Sequence, residues 1–241
     1  GALISQSIFY LITIIFFIYF SKGLLIEFDK KILGNLLSHS ITIGLISLSY
    51  FLYSKVDILF LGYFNYFSEV GIYEIMNKII ALLTMPFLIF SQTTSPSITR
   101  IYYSGKRDLL LGKIKKSILI SLTLSLIIAT LFYFISPFLL ETIFNQNLTQ
   151  EITMILFILL FTFIFQSTAT LIGNTFVIST GHAKLNLINL FLFGIINLVL
   201  NFFFIRSFGF IGVFYSTLIC GVISSISLVF FYYIRIKKEL G

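Results

Sequence analysis

The sequence has no tryptophan, one cysteine, three prolines and two histidines, and charged residues make up only 10% of its 241 positions. The single thiol, Cys220, sits in an apolar run, which excludes a disulfide framework and a thiolate metal site. His39 and His182 stand apart from any Cys, Asp or Glu at metal-ligand spacing, and there is no glycine-rich phosphate loop. No metal and no cofactor is therefore implied. Soluble domains carry about 25% charged residues, so the shortfall here excludes a water-soluble enzyme. Hydrocarbon takes the place of charge: 58% of residues are hydrophobic and the mean hydropathy is +1.05.

A membrane helix needs about 20 apolar residues. The long apolar stretches predict an all-α polytopic membrane protein with seven spans: Leu3 to Phe20, Leu36 to Phe60, Val70 to Phe90, Ile118 to Ser136, Ile152 to Ile172, Leu185 to Ile205 and Ile211 to Tyr233. The first span lacks the basic flank and the cleavage site of a signal peptide. Gly1 stands where an initiator Met would, which predicts a portion of a longer chain.

The net charge of +7 is distributed by crossing. Lys22, Lys30 and Lys31 follow the first span, six basic residues from Arg100 to Lys116 follow the third, Lys184 follows the fifth, and Arg235, Lys237 and Lys238 form the tail. All fall on one side, against Arg206 alone on the other. A nucleic-acid patch would not alternate with the crossings, so no nucleic-acid partner is expected. By the positive-inside rule the N-terminus lies outside the membrane and the C-terminus in the cytoplasm. Lys22, Lys106 and Lys184 are then cytoplasmic, and Asn65 and the sequon residue Asn147 external. The basic stretch between Arg100 and Lys116 suits contact with anionic membrane lipids.

Charges in hydrocarbon are costly, which singles out Lys55, Asp57, Glu74 and Lys78 around one external turn. A hairpin centred near Tyr66 sets Lys55 level with Lys78, and Asp57 level with the stretch between Glu74 and Lys78. Glu74 and Lys78 are also four apart, the spacing at which helix side chains meet. The four either form a neutral cluster fixing the hairpin, or Lys78 and Lys55 face a water-filled cavity that attracts an anion. The sixth span carries Asn186, Asn189, Asn197 and Asn201 on one face, as packing contacts or as cavity lining. Polar runs, Gln92 to Ser95 and Gln166 to Asn174, mark the cytoplasmic ends of the third and fifth spans. Pro86 and Pro96 predict a kink or interruption of the third. Thr217, Gly221 and Ser224 give the seventh a small-residue packing face.

The run KVDILFLGYFNYFSEVGIYEIMNKI, Lys55 to Ile79, resembles the hairpin opening the second half of the polysaccharide transporter family, the lipid-linked oligosaccharide flippases of the multidrug/oligosaccharidyl-lipid/polysaccharide exporter superfamily. Val56, Asp57, Leu61, Gly62, Val70, Gly71, Tyr73 and Lys78 match its pattern, while Met76 replaces a usual alanine. PSITRIYYSGKRDLLL, Pro96 to Leu111, is similar to the family's exit into a basic linker. NLVLNFFFIRSFGFIGVFYSTL, Asn197 to Leu218, resembles its last two helices, with Ser207 near a common proline.

The resemblance implies the C-terminal portion of a two-lobe transporter. Residues 1–35 would be the last helix of a missing N-terminal lobe with its cytoplasmic linker, and residues 36–241 a complete six-helix lobe. It implies a non-enzyme: an alternating-access flippase moving undecaprenyl-pyrophosphate-linked oligosaccharide, the repeat units of O-antigen lipopolysaccharide or capsule, across the bacterial inner membrane. Its candidate cavity residues are Lys55, Asp57, Glu74, Lys78, Asn174, Asn197 and Asn201. The alternative is a multidrug and toxic compound extrusion exporter, coupled to Na+ or H+ through Asp57 or Glu74. Such a site favours acids in excess of bases, whereas the spans balance them. An oligosaccharide polymerase finds only Glu141 as a titratable group on the external loop from Pro137 to Gln150, and a non-transporting assembly subunit is the remaining class.

Overall fold

Lipid offers backbone N–H and C=O groups no partner, so apolar stretches of this length have one local solution, the α-helix. The computed structural model describes residues 10–17, 19, 30–144 and 149–239. The chain divides into two units, Gly1–Ser40 and Ile41–Gly241. In the first, residues 10–17 and 19 are helical, and the expected span from Leu3 to Phe20 otherwise lies outside the described residues. Helix α1 runs Lys30–Tyr63. It is followed by α2 (Phe67–Tyr103), α3 (Arg107–Phe144), α4 (Gln150–Ile172), α5 (Ala183–Phe208) and α6 (Ile211–Glu239). No strand occurs among the described residues.

Among the described residues five helices, α2 to α6, are long and apolar enough to cross a membrane. In α4, 61% of the apolar window is buried, against 39% or less in the other four, so α4 is the central helix. Around it the core forms two clusters. Leu61, Tyr73, Met76, Ile155, Phe163, Ile205 and Phe214 pack toward one end. Ile98, Leu110, Ile114, Phe176, Leu228 and Tyr232 pack toward the other. Phe134, Phe157, Ile188, Phe203 and Phe230 stay exposed, as lipid-facing side chains should.

Short turns fix which ends meet. Asn65, with φ of 64°, closes the α1–α2 turn, and Gly209, with φ of 62°, closes α5–α6. Gly209 also faces Tyr66, whose hydroxyl would lie 3.1 Å from an added Cβ, so the two turns share an end. At the opposite end Glu239 accepts from Arg235, from His182 at 2.8 Å and from Tyr102 at 3.4 Å. This knot gathers the α2–α3 turn, the α4–α5 turn and the end of α6, and with them the basic residues Arg100, Lys106, Lys184 and Arg235. Lys22 and Asn147 lie outside the described residues.

The expected interruption at Pro86 and Pro96 does not occur, since α2 runs helical through both. The departure from α-geometry lies instead at the end of α4, where Gly173–Ile178 forms a π-helical segment. Hydroxyls of α2 hold that segment: Ser95 donates to the Asn174 carbonyl at 3.4 Å and Thr99 to the Ser179 carbonyl at 3.2 Å. Side-chain capture of carbonyls offsets the strain of widening the helix.

Close crossing of α5 and α6 requires Gly212. A Cβ there would stand 2.3 Å from the Phe204 carbonyl oxygen and 2.7 Å from the Ile205 nitrogen, both backbone atoms that cannot turn aside. Gly71, by contrast, has nothing within 4 Å. Gly212→Ala should therefore cost at least about 1–3 kcal/mol, and Gly71→Ala should stay within about 0.5 kcal/mol, by thermal unfolding in detergent. Equal stability of the two variants would contradict the crossing.

Candidate functional site

Counting from the turns explains how the polar groups meet. Asp57 and Tyr73 stand eight residues either side of Asn65, and Asn201 and Thr217 stand eight either side of Gly209. At 1.5 Å per residue all four lie about 12 Å below the turns, at one depth on four helices. Asp57, 3% exposed, accepts from the Tyr73 hydroxyl, from Asn201 Nδ2 at 2.6 Å and from Thr217 Oγ1 at 3.2 Å. Asn201 Nδ2 also donates to Asn197 Oδ1 at 2.6 Å, and Asn201 Oδ1 accepts from Ser216. The chain of bonds fixes the Asn201 amide so that its nitrogen, not its oxygen, faces the carboxyl group. Every partner of Asp57 is uncharged.

The expected four-charge cluster is thus corrected in its pairing. Lys55 Nζ lies 2.8 Å from Glu74 Oε1. Lys78 forms no ion pair among the described residues and is exposed on α2, so the Glu74–Lys78 pair does not form. The cause is register. The hairpin turns about Asn65 in its left-handed conformation, not about Tyr66, and this sets Lys55 opposite Glu74 and Asp57 opposite Tyr73.

Of the asparagine face on α5, Asn197 and Asn201 belong to the Asp57 network and Asn189 donates to the Ser224 carbonyl at 3.1 Å. These amides bond helix to helix. Asn174 is elsewhere: with Leu88, Ser91, Gln92 and Ser95 it lines a cleft of about 350 Å³ between α2 and the π-helical segment. The polar runs on α2 and α4 therefore divide. Thr93 and Thr94 turn back to the Phe90 carbonyl and Thr168 meets Ser121, while Gln92, Ser95 and Asn174 converge. Tyr73, Ser216 and Thr217 were not among the residues expected at a site; the equal distance of Tyr73 and Thr217 from the two turns is the signal that finds those two, and Ser216 enters through Asn201. Among the described residues no three His, Cys, Asp or Glu side chains gather where they could hold a metal ion.

The family model for MatE matches residues 43–203 of the chain, which is more than half of it. No curated protein and no solved structure matches.

The Lys55–Glu74 pair is partly exposed, with side chains 43% and 32% accessible, which limits its worth. A double-mutant cycle of Lys55→Met with Glu74→Gln should show a coupling of about 0.5–1 kcal/mol. The cycle of Glu74→Gln with Lys78→Met should be additive. Stronger coupling in the second cycle than in the first would refute the observed register.

Proposed function

The chain belongs to the MatE family, whose members are transporters, and we propose that it acts in a proton-coupled exporter in which Asp57 carries the coupling proton. The single observation behind this reading is a buried carboxyl group packed among helices long and apolar enough to cross a membrane and held by neutral groups alone. An ionisable residue at such a site is costly and marks function by default. The Tyr73 and Thr217 hydroxyls can each donate to a carboxylate or accept from a carboxylic acid. Both protonation states of Asp57 therefore find partners without rearrangement of the helices.

The pairing also removes the argument from balanced charge. Lys55 is engaged by Glu74, which leaves Asp57 as the buried charge and Lys78 exposed on the α2 surface. A pyrophosphate-linked glycan would draw on a cavity holding free cations; Lys55 is committed to Glu74, which leaves Lys78 alone of the two lysines outside an ion pair. The exporter reading is therefore favoured over the oligosaccharide flippase. With the basic end of the bundle in the cytoplasm, Asp57 lies in the outer half of the membrane.

The test is gradient-driven export by the full chain in proteoliposomes, using a cationic dye and a neutral dye in parallel. Whichever dye is exported, Asp57→Asn should lower gradient-driven export at least tenfold, with the protein inserted at normal level. Undiminished gradient-driven export by Asp57→Asn, or export of neither dye, would overturn the proposal.

A further inference from the structure

We infer that the cleft between α2 and the π-helical segment binds an uncharged group bearing both hydrogen-bond donors and acceptors, a carboxamide or a hydroxylated ring, and selects it against organic cations. The inference rests on the exporter reading and names the class of substrate; the cleft and Asp57 share no residue.

Three observations support it. First, three of the four polar side chains that line the cleft are unpartnered, Ser95 being the bonded one. Ser91 is 1% exposed, yet its hydroxyl, the Gln92 amide and the Asn174 amide form no hydrogen bond with any described residue. The contrast with Asn189, Asn197 and Asn201, all bonded, is sharp. Among the described residues the enclosed side-chain polar atom without a partner is Thr175 Oγ1, next in sequence to Asn174, while the Ser91 hydroxyl opens on the cleft, where a ligand could supply the partner that polar groups normally have.

Second, the backbone adds to the set. Pro96 has no N–H for the Gln92 carbonyl four residues before it. The π-helical widening places Asn174 beside Ser95, and π-helical segments of this kind concentrate at functional sites.

Third, charge is absent. On α2 no charged residue lies between Lys78 and Arg100, and from Glu151 to Lys184 α4 and its π-helical extension carry none. A cation entering the cleft would shed water and meet no counter-charge, a large loss. Each amide offers two N–H donors and one carbonyl acceptor, and serine offers one donor and acceptor lone pairs. That inventory matches a neutral group with mixed polarity. The cleft, at about 350 Å³, is near the small end of the roughly 300–1,000 Å³ range of ligand sites, so it admits one ring or one amide arm.

The experiment measures equilibrium binding of two probes sharing one fluorophore to the full chain in nanodiscs, with empty nanodiscs subtracted. One is dansylglycinamide, which is neutral; the other is dansylamidoethyl-trimethylammonium, a cation. The neutral probe should bind at least tenfold tighter than the cation. Asn174→Asp should lower that ratio at least tenfold by supplying a counter-charge. Gln92→Glu, at an exposed position that tolerates substitution, should act in the same direction. Failure of the neutral probe to bind above empty nanodiscs, equal or tighter binding of the cation to the unmodified protein, or a ratio unmoved in both variants would overturn the inference. Because the measurement imposes no gradient, its outcome is independent of whether export is coupled through Asp57.

Discussion

The hydrogen bonds converging on Asp57 set the geometry of half the bundle. A carboxyl group this deep needs donors, and neutral groups on three other helices supply them: Tyr73 on α2, Asn201 on α5 and Thr217 on α6. Removing any one leaves part of the group unsatisfied in a medium with no water, at about 1–3 kcal/mol or more. The two hairpins are thereby held at a common depth, with their turns meeting at Tyr66 and Gly209. The Lys55–Glu74 pair nearby is partly exposed and adds little by comparison.

Polar contacts organise this protein because apolar ones cannot choose among helix pairings in lipid, where tails are as hydrophobic as leucine. The core clusters fill space around α4, whereas the asparagines and hydroxyls determine which faces meet. At one end they enclose Asp57, and at the other His182, Arg235 and Tyr102 meet the exposed Glu239. Between these fixed ends lies the α2–α4 contact, where Ser95 and Thr99 grip a π-helical segment and the side chains of Ser91, Gln92 and Asn174 stay open. The proposed proton carrier and the proposed ligand cleft are thus built from the same residue types, distinguished by whether their bonds are closed within the protein.

The helices from α2 onward were legible from apolar run length alone, because a span in lipid has no alternative structure. The side-chain register was less so. A turn centred at Asn65 in place of Tyr66 was enough to exchange the partners of Lys55 and Glu74, and no local pattern announces which residue takes the left-handed conformation. Asp57 was recognisable as a costly charge, but two of its three partners, Asn201 and Thr217, are more than a hundred positions away, and Thr217 reads locally as a packing residue. The π-helical segment was illegible because it depends on carbonyl capture by Ser95 and Thr99 across a tertiary contact. The prolines do not interrupt the helix, since α2 continues past both.

The most direct measurement of the central claim is infrared difference spectroscopy of the reconstituted full chain, following the carboxylic-acid C=O band through a pH titration. The account predicts one reversible band, shifted by strong hydrogen bonding, that disappears in Asp57→Asn and changes when Tyr73→Phe removes one donor. A titration with no band assignable to Asp57, or a band unaffected by Tyr73→Phe, would contradict the account of Asp57 as a proton carrier held by neutral partners.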